Sequence, residues 1–173
     1  GLWYYFDANG YLVEDNSHEE GTIKGIDVSQ WQGDINWQAV KNDGIEYAFI
    51  RLGYGSQKLD TYYQKNIKSA NQVGLPVGVY YYSMAKSESQ AILDAQFVIK
   101  NLSGYTVSYP VVIDLEDSSL IGLGKTQIGK IAKAFCDTIA DAGYTPMIYS
   151  STSYLNDYFD WTQLKGYKVW AAD

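Results

Sequence analysis

The sequence predicts an α/β fold built on a parallel sheet, and three observations point there. Short apolar runs alternate with helical patterns from residue 22 onward, which implies parallel strands joined by helical crossovers. The runs YAFIRL, VGVYYYS and VVIDLE are nearly continuous in apolar or aromatic residues, the mark of strands covered on both faces. Acidic residues close two strands, at Asp27 and at Asp114 with Glu116, the strand ends where barrel active sites lie. An open doubly wound sheet and a barrel both fit this alternation. No G-x-G-x-x-G or G-x-x-x-x-G-K-[ST] follows a strand, so nucleotide binding has no motif behind it.

Residues 1–15 read as a β-hairpin, with Trp3-Tyr4-Tyr5-Phe6 and Tyr11-Leu12-Val13 flanking an Asn9-Gly10 turn, a pair suited to φ > 0. A polar linker follows to Gly21, so 1–21 and 22–173 form two units. The first strand of the main unit is Ile23–Val28. Asn36 caps a helix over Trp37–Asp43 that Gly44 stops. Tyr47–Leu52 is the second strand, and Asp60 caps a helix over 61–73. Pro76–Tyr82 is the third strand. Ser87-Glu88-Ser89-Gln90 has the S-x-x-Q form of a capping box and opens a helix to Leu102. Pro110–Glu116 is the fourth strand. From Thr126 a long helix buries Ile128, Ile131, Ala132, Phe135 and Ile139 at helical spacing and ends near Gly143. Thr145–Tyr149, a short helix over Ser151–Phe159 and a sixth strand over Lys168–Ala172 complete the series.

The composition excludes several classes of function. The 173 residues are 46% hydrophobic and 19% charged, as in a globular domain with a real core. A net charge of −7 without basic runs argues against nucleic acid and anionic membranes. No apolar run approaches the ~18 residues of a membrane span. The N-terminus lacks the pattern of a signal peptide, so secretion would require a leader upstream. Cys136 is the one cysteine, in an apolar helical stretch, and reads as inert core. The lone histidine, His18, reads as a solvated linker residue; Ser–His or Cys–His catalysis and a histidine metal site therefore have little support. With 17 Tyr and 5 Trp the chain is rich in flat rings with one polar edge, which suit sugars and equally suit a core.

The strand-end acids carry the chemistry. A carboxylate inside an apolar strand is costly unless paired, hydrogen-bonded or functional. Asp114 and Glu116 are two apart, so both point to one face of a strand, with Cα atoms about 6.6 Å apart. Their carboxyls would lie roughly 5–8 Å apart, overlapping the separations used to cleave glycosidic bonds. Crowding raises the proton affinity of one member, so that one acid stays protonated while others stay charged. The competing reading is a strand-end pair that caps backbone amides or holds a cation.

The longer motifs carry a family resemblance. GIDVSQWQGDINWQAVKNDGIEYAFIRLGYG, DTYYQKNIKSANQVGLPVGVYYYSMA, YPVVIDLED, GYTPMIYSS and VWAAD, in that order, closely resemble glycoside hydrolase family 25, the Chalaropsis-type lysozymes. The resemblance covers residues 22–173. GLWYYFDANGYLV resembles one aromatic cell-wall-binding repeat of Gram-positive surface proteins.

The family resemblance implies a flattened TIM-like barrel of five βα units plus further strands. It also implies hydrolysis of the β-1,4 bond between N-acetylmuramic acid and N-acetylglucosamine, in a secreted or wall-associated protein acting on bacterial peptidoglycan. By position Glu116 matches the general acid, Asp114 its partner and Asp27 the acid that ends the first strand. Tyr80 and Tyr82 match aromatics lining the site, or serve as barrel core. Arg51 orients a carboxylate or plays a plain strand-end role. Substrate-assisted chemistry is favoured, because Asp114 and Glu116 project from one strand.

No cofactor or metal is expected. The family continues past VWAAD with two more strands, so an incomplete barrel that self-associates through its open edge is expected. A wall-binding protein without turnover and a hydrolase of another glycan such as chitin are the competing functions.

Overall fold

The computed structural model describes residues 4–6 and 23–172. In chain order the elements are β1 (Tyr4–Phe6), β2 (Ile23–Val28), α1 (Trp37–Asn42), β3 (Tyr47–Gly55), β4 (Lys58–Leu59), α2 (Tyr63–Gln72), β5 (Val77–Ser83), α3 (Glu88–Leu102), β6 (Val111–Asp114), α4 (Lys125–Asp141), β7 (Pro146–Ser151), α5 (Thr152–Tyr158) and β8 (Lys168–Ala172). They form one sheet in the order β1-β2-β3-β5-β6-β7-β8, with β4 folded back on β3. The strands from β2 to β8 along this path are parallel. β1 joins antiparallel, with Tyr4 opposite Gly25. The second strand of the expected hairpin, its Asn9-Gly10 turn, the linker and His18 lie outside the described residues. Among the described residues no helix is long and apolar enough to cross a membrane.

Alternation along each strand sorts the side chains into two layers. Ala48, Ile50 and Leu52 of β3, Val79 and Tyr81 of β5, Ile113 of β6 and Ile148 of β7 face outward. There they pack with helix residues such as Ile67, Val98 and Phe135 in the main core. Each fully buried aliphatic side chain contributes about 1.5–3 kcal/mol. The opposite parity builds a second, aromatic core from Tyr47, Phe49, Val112, Met147 and Trp170, with Tyr80, Tyr109 and Tyr149 against it.

This second core proves that the sheet curls. β3 and β8 have three strands between them, so in a flat sheet they would lie roughly 19 Å apart. Yet the rings of Phe49 and Trp170 meet with centroids 5.0 Å apart. The sheet is therefore a half-barrel with its inner face filled by rings. Two glycines make room for that filling. A Cβ on Gly25 would sit 2.0 Å from the Tyr47 ring, and one on Gly78 would sit 2.4 Å from Phe49 and 2.5 Å from the Pro110 carbonyl oxygen. Tyr47 also stacks on Tyr109 at 4.9 Å. These rings plug the end of the curl where the parallel strands begin and leave the other end open.

Several local expectations change in the fold. The second strand runs on to Gly55, because β4 pairs back on it with Gly53 opposite Leu59 and the register shifts between Arg51 and Gly53. The fourth strand stops at Asp114, so Glu116 lies just beyond it; the Leu115 N–H still donates to the Tyr149 carbonyl at 3.0 Å. Asp60 is not the cap of α2, whose first residue is Tyr63. Its Oδ1 accepts the Tyr62 N–H at 2.9 Å, while Oδ2 accepts Arg51 Nε at 2.8 Å and the Gln30 N–H at 3.0 Å. Asn36 does cap α1, accepting the Ala39 N–H at 3.0 Å. Ser87 caps α3, but the Gln90 side chain reaches back one residue further than the box predicts, to the Lys86 N–H.

Candidate active site

The open end of the curl holds a cavity of about 210 Å³ lined by Asp27, Tyr80, Asp114, Glu116, Tyr149 and Trp170. Strand parity assembles it. Asp114 is the last residue of β6, with Tyr149 of β7 as its Cα partner, and Trp170 of β8 is the partner of Tyr149. Asp27 stands one residue from the end of β2. Tyr80 projects from β5, in register with Arg51 and Val112. Three acids thus share one aromatic-walled space, although they arise up to 89 positions apart in the sequence.

Burial dominates the electrostatics. Asp114 is only 5% exposed. Its carboxyl is pushed well above the ordinary carboxylate range by burial, then by the charge of Glu116 and, less, of Asp27, with Arg51 opposing. Asp114 Oδ1 has no hydrogen-bond partner among the described residues. Glu116 is half-buried and also raised by burial, against a backbone hydrogen bond from Ser151 that favours its charged form. Asp27 is raised mainly by burial. Burial likewise raises Tyr80, with the charge of Asp27 adding. Such a cluster retains a proton where isolated carboxylates would be bare, and one acid can donate while its neighbours stay charged.

Two residues of the anticipated site lie outside that lining. The Tyr82 hydroxyl donates to Asp117 Oδ2 at 3.0 Å, although Tyr82 still feels the charges of Asp114 and Glu116. Arg51 donates to Asp60 in a largely buried pair and lies 5.0 Å from the Tyr54 ring centroid; its charge also acts on Asp114, holding that carboxyl down against burial. The sequence reasoning passed over Tyr149 and Trp170. Their signal was parity: each occupies the register row of Asp114 in its own strand. Cys136 is fully buried among the helices. Among the described residues no three His, Cys, Asp or Glu side chains are arranged to hold a metal ion.

A curled parallel sheet with helices outside, and a cluster of acids at the mouth where the strands end, define a barrel-type scaffold with a carboxylate-lined site. The chain belongs to glycosyl hydrolases family 25, whose sequence pattern matches residues 26–173. It is 27% identical over 151 residues to an autolytic lysozyme of Clostridium acetobutylicum, covering 87% of this chain and 45% of that protein. The modular autolysin LytC from Streptococcus pneumoniae, solved in complex with a synthetic peptidoglycan ligand, superposes with a TM-score of 0.71 at 28% identity, covering 88% of this chain and 43% of that one. A family 25 glycosyl hydrolase from Bacillus anthracis shares the fold with a TM-score of 0.74 at 24% identity, over 92% of this chain and 75% of that one. The chain spans about half the length, or less, of the lysozymes of Clostridium acetobutylicum and Streptomyces globisporus that it matches.

Proposed function

We propose that this chain is the catalytic part of a peptidoglycan hydrolase, a muramidase that cuts the β-1,4 bond between N-acetylmuramic acid and N-acetylglucosamine. The observation that carries this reading is the convergence of Asp27, Asp114 and Glu116 on one half-open, aromatic-walled cavity. Family membership and the lysozyme relatives support it. The sheet is read as part of a flattened barrel of five βα units plus further strands. The substrate places its action outside the cytoplasm, at the wall, and the edge of β8 is read as the surface for self-association.

In the proposed mechanism Glu116 protonates the glycosidic oxygen as the bond to the anomeric carbon breaks. The oxygen of the substrate's own N-acetyl group forms the new bond to that carbon. Asp114 Oδ1, which has no donor among the described residues, accepts the acetamido N–H. That hydrogen bond favours its charged form, and the charge stabilises the positive charge that develops on the cyclic intermediate. Water then opens the intermediate, returns its proton to Glu116 and leaves a product of retained configuration. Asp27 adds negative field beneath the reacting sugar.

Glu116→Gln should lower the rate of wall clearing by roughly 10²–10⁴-fold without shifting thermal unfolding. Near wild-type clearing by that variant would overturn the acid assignment. The first anomer released should be retained, and an inverted one would exclude substrate assistance. Sugar polymer binding without clearing by the full protein would instead favour a wall-binding module, and turnover of chitin alone would favour another glycan.

A further inference from the structure

Trp31 is the most exposed large apolar side chain described, at 78%. Scattered exposed apolar residues are ordinary and mean little by themselves. What distinguishes Trp31 is where it stands and how firmly its backbone is held. It lies four residues past Asp27, on the single turn Gln30–Gln32 that follows β2 at the mouth of the curl. Ser29 begins that turn. Its side chain accepts the Trp31 N–H at 3.2 Å, and Gln32 Oε1 accepts the Ser29 N–H at 2.7 Å. Ser29 also neighbours Tyr80, which lines the cavity, and acts against the burial that raises the Tyr80 hydroxyl.

A second brace comes from the neighbouring loop. Asp60 accepts the Gln30 N–H at 3.0 Å while paired with Arg51, and the Thr61 hydroxyl donates to Gln30 Oε1 at 3.2 Å. Asp60 is itself buried, at 1% exposure. The fold thus spends a buried ion pair and a reciprocal cap on a turn whose central side chain touches solvent. Fixing the turn in advance removes the ordering cost that a ligand would otherwise meet.

We propose that Trp31 is a stacking platform for a sugar ring of the glycan strand, on the rim outside the cleavage cavity. This rests on the glycan-cleaving function proposed above. The occupant follows from chemistry and continuity. The indole offers a broad flat face with one polar edge, which matches the C–H face and hydroxyl rim of a pyranose. The turn follows directly on the strand that carries Asp27 into the cavity, and a polymer held in the cavity must leave over its rim. A cavity of about 210 Å³ is small beside an extended strand, so further sugars need a surface outside it.

The test is binding of sized, soluble glycan strands prepared from peptidoglycan, from disaccharide to octasaccharide, to Glu116→Gln, to the same variant with Trp31→Ala, and to the same variant with Trp31→Phe. Trp31→Ala should weaken octasaccharide binding by roughly three- to tenfold and leave the disaccharide within twofold. It should also remove the additional tryptophan-fluorescence shift that the octasaccharide produces over the disaccharide, the part not due to Trp170 in the cavity wall, and Trp31→Phe should recover part of the affinity. Equal octasaccharide affinity with and without the indole would overturn the proposal. So would an equal loss for every length, since Trp31 would then act by shaping the Ser29 turn. If Glu116→Gln bound no glycan of any length, the glycan-cleaving reading itself would fall.

Discussion

Asp94 shows what one buried carboxyl costs in this fold. It lies on α3, 4% exposed, where Ser83 Oγ donates to its Oδ2 at 3.1 Å and the Tyr81 hydroxyl lies 3.3 Å from its Oδ1. Burial pushes it up to about 6 from 3.8, against those hydrogen bonds. The folded state therefore prefers neutral Asp94. Stability tied to this group is fully present below the unfolded value and is lost as pH rises toward about 6. Asp94→Asn should accordingly flatten the decline in unfolding free energy between pH 4 and pH 7 by an amount on the order of 2–3 kcal/mol. Urea titrations at both pH values check this; an unchanged slope would show that Asp94 is charged in the fold. The site acids obey the same physics. Their residue types and spacing were legible in the sequence, because an acid in an apolar strand has few structural excuses. Which acid is most perturbed was not, since that depends on how deeply each one is buried. Asp114, at the last residue of β6, is pushed up further than Glu116 beyond it.

At the scale of elements, the sequence reading succeeded where punctuation was local and faltered where a distant partner decided. Asn36 and Ser87 cap their helices because a cap needs only the next three residues. Asp60 looked like a third cap, but the fold turns its second oxygen toward Arg51 and Gln30. No spacing rule reports a partner 30 residues away. Asp60 ties the middle of β3, the turn after β2 and the start of α2 into one unit. Asp60→Ala leaves the Arg51 guanidinium, which is largely buried, without its carboxylate. That change should cost about 3–5 kcal/mol, measured by denaturant unfolding, and Asp60→Asn should cost less because it keeps an acceptor for the Tyr62 N–H. A loss under about 1 kcal/mol would mean that the pair behaves as a surface one. β4 was missed for a related reason: two residues are too few to show a period, and the strand exists by pairing on β3.

For the whole molecule the question is what keeps the sheet curled. The inner rings do so by meeting across the concave face, and Trp170 is the contact that spans it, 5.0 Å from Phe49 and 4.8 Å from Tyr149. Trp170→Ala should destabilise the fold by roughly 3–5 kcal/mol, a fall of about 10 °C in Tm for a chain of this size. It should also reduce activity in the fraction still folded, because Trp170 lines the same cavity as the acids. Trp170→Phe should restore most of the stability. Full activity and an unchanged Tm for the alanine variant would show that the curl is held by the outer helices alone.

The sequence by itself determined the class of fold, the parallel strands and the identity of the acids. Those depend on periodicity, on caps and on the expense of placing charge among apolar neighbours, all of which are written within a few residues. Only the tertiary structure decided that the sheet curls, that Asp27 reaches Asp114 and Glu116, that Tyr149 and Trp170 wall the cavity, and that Arg51 turns to Asp60. Each of these is a meeting of strands far apart in the chain. The register that brings them together is set by packing across the whole sheet, with Gly25 and Gly78 leaving space for rings supplied by another strand.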